Sequence, residues 1–202
     1  TPATSNGFVT FGVFNRISKI SDAAAQAWSR ILERVPGSRL LIKDLALDDQ
    51  LVRDNLLARL ATCGVPAERV DLLGTTLRID HLRSFHRVDI ALDPFPQNGG
   101  VSTLEALQMG VPVVAKLGNS LPSRAGGSIL SALGLPDWVT DSEEAYVDIA
   151  VSRAAQIGDL DKLRRELPGQ VRAAPACNPV AYVQAVDEAY RAMWKRYCSG
   201  GA

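Results

Sequence analysis

The chain has 202 residues, of which 47% are hydrophobic, a fraction typical of a soluble globular protein with one sizeable core. Its 22 Lys and Arg residues balance its 22 Asp and Glu residues, so nothing indicates a general binder of nucleic acids or membrane surfaces. The three cysteines, Cys63, Cys177 and Cys198, are far apart, which argues against a disulfide framework or a zinc site. With no bilayer-length apolar run and no signal-peptide pattern, the sequence predicts a cytoplasmic protein.

Taken in order, the chain alternates between short apolar runs and helical patterns. We predict a linker over residues 1–7 and six strands, at 8–14, 39–43, 70–73, 90–92, 110–115 and 138–139. Helices are predicted to begin at Ser21-Asp22 and at Asp48 or Asp49, with further helices over 79–86, after Ser102, over 123–133 and from Ser142 onward. Trp28, Leu32, Leu51, Leu56 and Leu60 are expected to face the core.

This alternation predicts an α/β fold with a doubly wound parallel sheet over residues 8–174. The segment 175–202 is predicted to be a C-terminal amphipathic helix that packs either on this fold or on a missing lobe. In such folds, ligands bind outside the carboxyl ends of the strands. The predicted functional loops therefore contain Asn15-Arg16-Lys19, Lys43-Asp44, 74–76, 98–102 and 117–119.

The most informative stretch runs from Asp93 to Leu107 and reads as the end of a strand, a turn rich in Pro and Gly, and the start of a helix. The first N–H groups of such a helix have no partner and, with the helix dipole, favour a phosphate. Gly99 and Gly100 are expected to let a ligand approach the backbone, while Ser102 and Thr103 add hydroxyl donors. The alternative interpretation is an ordinary loop with two turn glycines, because glycine-rich turns are weak signals.

A dinucleotide-binding site is disfavoured by the order of these signals. That site requires a Gly-rich turn after the first strand and an acidic residue after the second. Here the first predicted strand leads into Phe14-Asn15-Arg16, the second ends at Lys43, and the glycine turn follows the fourth strand. The sequence also has no Walker lysine motif.

Several segments resemble one known family along nearly the whole chain. They are 14–20, Trp28 with 31–38, 81–83, 89–93 with 98–100, 105–114, Ser123-Arg124 and Met193-Trp194. In this order they resemble the C-terminal catalytic lobe of O-GlcNAc transferases, which usually carry tetratricopeptide repeats. The resemblance implies a Rossmann-like, donor-binding lobe of a GT-B fold. It also implies that an N-terminal lobe and repeats complete the enzyme.

The resemblance implies an inverting, metal-independent transfer of a sugar, GlcNAc, from a UDP-sugar to Ser or Thr of an acceptor protein. It implies no cofactor and no metal ligands. Lys19 corresponds to the lysine that contacts the donor diphosphate and offsets charge on the leaving group. Asn15 and Arg16 belong to the same segment, although the family often has Gln at the position of Arg16. On this reading the chain alone binds nucleotide but turns over poorly.

The other implied donor contacts come from the predicted helix over 79–86, from the turn after the fourth strand and from the helix that follows this turn. His81 corresponds to a histidine that stacks beside the uracil, and Glu105 to the acid that binds the ribose hydroxyls. Asn98, Gly99, Gly100, Val101, Ser102 and Thr103 fall on the diphosphate-binding turn. Val101 replaces a hydroxyl residue and so removes one side-chain donor. Three alternatives stay open: UDP-glucose as donor, GDP-fucose as donor, or a degenerate module that serves only in protein interaction.

Overall fold

The computed structural model describes residues 1–200, which form a parallel sheet with helices on both faces. The strands of this sheet are β1 (Thr10–Val13), β2 (Arg39–Lys43), β3 (Val70–Leu73), β4 (Ile90–Leu92), β5 (Val113–Lys116) and β6 (Val139–Thr140). They lie in the order β3-β2-β1-β4-β5-β6, and every neighbouring pair is parallel. The predicted doubly wound sheet is confirmed. The direction of winding reverses between β1 and β4.

The helices follow the sequence pattern with small shifts at their ends. They are α1 (Pro2–Asn6), α2 (Asp22–Arg34), α3 (Gln50–Thr62), α4 (Arg78–Ser84), α5 (Val101–Gln108), α6 (Ala125–Ala132), α7 (Glu143–Ala154), α8 (Ile157–Ala173) and α9 (Pro179–Cys198). Ser21 caps α2 as predicted, with its hydroxyl accepting from Ala24 N at 3.1 Å. Gly110 adopts φ 80° after α5, the left-handed conformation that ends a helix without strain on a side chain.

The core lies where the strands are buried on both faces. All four residues of β1 are buried, as expected for an inner strand of a parallel sheet. Gly12 is needed there because a Cβ atom at this position would lie 2.6 Å from both methyl groups of Val88. From α2, Trp28 and Leu32 lie in the core, as predicted, with at most 1% of their surface exposed.

The structure decides between the two predicted starts of α3 and corrects one expectation about its core residues. The cap is Asp49, whose Oδ1 accepts from Leu51 N at 2.8 Å. Leu51, in the first turn of α3, was expected in the core but is 68% exposed. Leu56 and Leu60, one and two turns further, are buried as predicted.

The N-terminal segment differs from the predicted linker. Residues 2–6 form α1, and Ala3 is buried. The reason is the buried carboxylate of Asp89, whose Oδ1 accepts from Ala3 N at 2.9 Å and whose Oδ2 accepts from Thr10 N at 2.8 Å. A buried carboxylate requires such donors, and the start of a short helix supplies one.

The C-terminal helix also differs from one of its two predicted placements. In the described part of the chain α9 buries none of its residues, so it does not pack back on this fold. Its aromatic side chains Tyr182, Tyr190, Trp194 and Tyr197 are all more than half exposed. Packing on a missing lobe stays a prediction. Among the helices of residues 1–200, none has both the length and the apolar content that crossing a membrane requires.

Candidate functional site

Loops that follow β1 and β4 meet at the point where the sheet reverses its winding, the usual position of a ligand crevice in such folds. Asn15 Nδ2 donates to Ser102 Oγ at 3.0 Å, and Lys19 Nζ donates to Asn98 O at 2.7 Å. An isolated bridge pairs Ile20 with Pro96. The structure therefore brings Asn15 and Lys19 together with the predicted phosphate-binding turn.

The turn itself is held by hydrogen bonds to neighbouring segments of the protein. Asn98 N donates to Pro122 O at 3.0 Å, and its side-chain amide donates to Pro94 O at 3.1 Å. Gly99 N donates to Asp93 Oδ1 at 2.6 Å. These bonds fix the backbone of residues 98 and 99 before any ligand binds, which is the preorganisation that an anion site needs.

The two glycines of the turn have different roles, which the sequence did not distinguish. A Cβ atom at Gly99 would lie 2.7 Å from Ser102 Oγ and 2.8 Å from Asn15 Nδ2, so this glycine admits the protein's own side chains. At Gly100 a Cβ atom would meet no atom within 4 Å. Gly99 is therefore required by the packing of the protein itself, whereas Gly100 borders open space. Contact of either glycine with a ligand stays a prediction.

Helix α5 begins directly after this turn and directs its free N–H groups toward the crevice. Gly100 is its N-cap and has no side chain with which to cap it, so the N–H groups of residues 101–103 have no partner within the helix. Val101 is 72% exposed and Thr103 is buried, so the Thr103 hydroxyl is not a surface donor.

Arg16, in the loop after β1, is exposed to solvent. Within residues 1–200, no three His, Cys, Asp or Glu side chains are grouped as a metal site.

On the other side of α5, Glu105 is buried, with 10% of its side chain exposed, and it is paired with two residues of α4. Its Oε2 lies 3.0 Å from His81 Nε2, and its Oε1 accepts a short hydrogen bond from Arg78. Glu105 is therefore not an exposed carboxylate on the surface of α5. Each carboxylate oxygen keeps a further lone pair for a ligand hydroxyl.

His81 is held in place by aromatic rings as well as by Glu105. Its ring packs edge-on against Phe14, with 5.9 Å between ring centroids, and against Phe85, with 5.6 Å. Beside it opens a cleft of about 400 Å³, in the size range of small-molecule sites. The cleft is lined by Lys43, Leu45, Gly74, Thr75, Thr76, Arg78 and His81.

Loops at the ends of β2 and β3 give this cleft its shape. Asp48 Oδ1 accepts from Thr75 N at 2.8 Å, and hydrogen bonds from Thr75 lower the pKa of Asp48. Lys43 Nζ donates to Gly74 O, and burial lowers the pKa of Lys43. Asp44 Oδ2 accepts from Ile17 N at 2.5 Å, which fastens the β1 loop to the β2 loop. Lys43 thus holds the neighbouring loop as well as lining the cleft.

Two residues of the site were missed by sequence reasoning. Arg78 precedes His81 by three positions, so a single helical turn presents both to Glu105, a spacing that was visible in the sequence. Asp93 follows a fully buried strand, and this position could have indicated a buried carboxyl group. It is 2% exposed, and burial raises its pKa to about 7, against the opposing effects of the Gly99 hydrogen bond and the Lys19 charge.

Comparison with known proteins agrees with this geometry. The model of glycosyl transferase family 41 matches residues 3–186. The chain is 41% identical over 201 residues to the "Probable UDP-N-acetylglucosamine--peptide N-acetylglucosaminyltransferase SPINDLY" of Arabidopsis thaliana, covering 99% of this chain and 22% of that protein. The protein of the same name from Oryza sativa subsp. japonica is 40% identical over 203 residues, with 100% and 22% covered. The chain therefore spans about a fifth of the length of these relatives.

A solved structure has the same fold as this chain. The O-GlcNAc transferase of Thermobaculum terrenum, solved as a mutant, superposes with a TM-score of 0.88 at 35% identity, covering 98% of this chain and 38% of that one. The predicted GT-B type of α/β fold, matching the C-terminal lobe of such a transferase, is thereby confirmed. Since the family model extends over most of the sequence, the chain belongs to glycosyl transferase family 41.

Proposed function

We propose that this chain is the donor-binding half of an inverting, metal-independent glycosyltransferase that moves GlcNAc from UDP-GlcNAc to Ser or Thr of an acceptor protein. The observation that carries the proposal is the meeting of Lys19 with the turn before α5, where Lys19 Nζ lies 2.7 Å from Asn98 O. A cation and a set of free helix N–H groups on one crevice suit a diphosphate. The names of the relatives support the donor and the peptide acceptor.

The chemistry assigned to these residues is stabilisation of the leaving group. An acceptor hydroxyl attacks the anomeric carbon from the face opposite the diphosphate, the bond from this carbon to the phosphate oxygen breaks, and the configuration inverts. Negative charge then grows on the diphosphate. The Lys19 ammonium and the N–H groups of residues 101–103 offset that charge in a preorganised site, and Asn15 supports the turn through Ser102.

The nucleoside is assigned to the neighbouring cleft. The His81 ring, fixed by Phe14 and Glu105, offers one face to a planar base. Glu105 has lone pairs left for the ribose hydroxyls, and its buried carboxylate is paired with Arg78. The cleft lies between this carboxylate and the loops after β2 and β3, where a base has room.

The rest of the enzyme is proposed to come from segments outside this chain, which spans about a fifth of its relatives. We expect an N-terminal catalytic lobe and tetratricopeptide repeats to supply the acceptor site. The chain alone is therefore expected to bind a nucleotide sugar but to turn over poorly. The free thiols of Cys63, Cys177 and Cys198 support a cytoplasmic setting for this enzyme.

Calorimetric titration with UDP-GlcNAc, UDP-glucose, GDP-fucose, UDP and GDP tests this function. We expect saturable binding of UDP and UDP-GlcNAc, weakened about tenfold or more by Lys19→Ala, since a charged hydrogen bond contributes about 1.5–3 kcal/mol. Lys162→Ala, at an exposed position of α8, is the matched control and should leave affinity unchanged.

Each alternative predicts a different result in the same titration. Preference for GDP and GDP-fucose would establish a guanine nucleotide donor, and preference for UDP-glucose would change the sugar. Absence of binding both to this chain and to a longer protein carrying the other lobe would favour the interaction module. Turnover by the isolated chain at the rate of an intact enzyme would contradict the proposed division between lobes.

A further inference from the structure

The carboxylate of Asp93 lies directly beneath the turn that is proposed to hold the diphosphate. Its Oδ1 accepts from Gly99 N at 2.6 Å. Its Oδ2 is buried and, among the described residues, has no hydrogen-bond partner. A Cβ atom at Gly126 would lie 2.2 Å from this Oδ2, so the backbone of α6 closes the carboxyl group off from that side. A buried oxygen without a donor calls for a physical explanation.

The charges around Asp93 do not neutralise it by direct contact. Lys19 acts on it electrostatically, but its ammonium donates to Asn98 O. From α7, the Tyr146 hydroxyl donates to the main-chain oxygen of Asp93 and not to its carboxylate. Helix α6 has no titratable residue. The charged groups of the other neighbouring elements have partners elsewhere. Glu105 of α5 binds Arg78 and His81, and Lys116 of β5 lies over the Phe95 ring.

An anionic ligand on the turn changes the protonation equilibrium of the Asp93 carboxyl group. A diphosphate above residues 99–102 brings negative charge close to a buried carboxylate, and like charges in a site of low polarity disfavour each other strongly. Protonation at Oδ2 removes that repulsion. It leaves the bond from Gly99 N to Oδ1 in place, because a neutral carboxyl group still accepts at its other oxygen.

We propose that Asp93 is a positioning residue that takes up one proton from solvent at Oδ2 when a diphosphate donor binds, holding the Gly99 turn without repelling the ligand. This inference rests on the proposed function, since it requires a diphosphate at the turn. Burial already raises the pKa of Asp93 to about 7 in the free protein, so uptake would occur in the neutral range. The donor-binding step of this lobe is then linked to pH.

The test is calorimetry with UDP-GlcNAc near pH 7 in buffers of different ionisation enthalpy, which counts the protons taken up on binding. Both phosphates of this ligand are esterified, so its own charge is constant in this range. Because Asp93 is about half protonated at pH 7 in the free protein, we expect a net uptake that approaches about half a proton at pH 7 and rises toward one at pH 8. The affinity should fall by up to about tenfold per pH unit above neutrality. Asp93→Asn, which keeps an oxygen acceptor for Gly99, should lower the proton count and flatten the profile.

Carbon-13 NMR of the Asp93 carboxyl group in the wild-type protein gives a second measurement that needs no variant. Its titration midpoint should rise when UDP-GlcNAc is added. Saturable binding without this rise, or with equal proton uptake in the wild type and Asp93→Asn, would overturn the inference and leave the proposed function intact. No saturable binding of any nucleotide sugar, in this chain or a longer protein, would overturn both.

Discussion

Glu105 and His81 face each other between α5 and α4, with 3.0 Å between Glu105 Oε2 and His81 Nε2. Through this contact the helix that begins at the diphosphate turn also fixes the ring proposed to lie beside the base. Arg78 binds the second oxygen of the same carboxylate. One buried acid thus connects the two halves of the proposed donor site, and its removal should affect more than one ligand contact.

Glu105→Gln is expected to weaken UDP binding by about tenfold to a hundredfold. The substitution keeps the size of the side chain but replaces charge-assisted bonds to Arg78 and His81, each worth about 1.5–3 kcal/mol. Calorimetric titration measures the change. Glu166→Gln, at an exposed position of α8, is the control and should bind as the wild type does. Unchanged affinity of Glu105→Gln would remove Glu105 from the donor site.

Gly99→Ala and Gly100→Ala form a matched pair at adjacent positions. The first should lower the free energy of unfolding by about 1–3 kcal/mol, because the new Cβ atom would meet Ser102 Oγ and Thr103 Oγ1, each at 2.7 Å. The second should change it by less than about 0.5 kcal/mol, because nothing lies within 4 Å. Urea denaturation of both variants measures these values. Equal destabilisation of the two variants would refute the assignment of separate roles.

Most of the architecture was predictable because it depends on local signals. Apolar runs bounded by turns predicted all six strands of the described residues, and Ser21 marked the start of α2. The same logic predicted that the loops with Lys19 and Ser102 lie at one edge of the sheet, since the carboxyl ends of parallel strands share an edge. Family resemblance added the donor assignment, which local signals alone do not contain.

What escaped prediction depends on contacts between segments far apart in sequence. Residues 2–6 fold into α1 because Asp89, more than 80 positions later, is buried and needs a donor. The role of Gly99 depends on Asn15 and Ser102 occupying the space beside it, which no pattern along the chain reports. Arg78 belongs to the site because it pairs with Glu105 of α5, and the sequence shows its spacing to His81 but not this contact between helices.

Val101→Thr is expected to strengthen donor binding. Val101 is the first residue of α5 and 72% exposed at the proposed diphosphate site, so a hydroxyl there adds a donor without disturbing the core. One added hydrogen bond contributes about 0.5–1.5 kcal/mol, roughly a threefold to tenfold gain in affinity. Val180→Thr, on exposed α9, is the control and should have no effect. Weaker binding of Val101→Thr would indicate that the diphosphate lies elsewhere.

Asp93 should make the stability of the free protein depend on pH in a direction opposite to that of most carboxylates. Burial raises its pKa to about 7 in the folded state, whereas an unfolded Asp has a pKa of about 3.9. Between these values the folded state holds the proton and the unfolded state does not. The contribution to stability is therefore fully present below about pH 4, and it is lost as pH rises to about 7, at up to about 1.4 kcal/mol per pH unit.

Urea denaturation of the wild type and Asp93→Asn between pH 5 and pH 8 isolates this contribution. Asp89, whose pKa burial also raises, is present in both proteins, so its effect cancels in the difference between them. Because the amide cannot ionise, the stability of Asp93→Asn relative to the wild type should increase with pH and level off above about pH 7. A difference that stays constant over this range would mean that Asp93 is ionised in the folded protein at every pH tested, which would contradict the raised pKa.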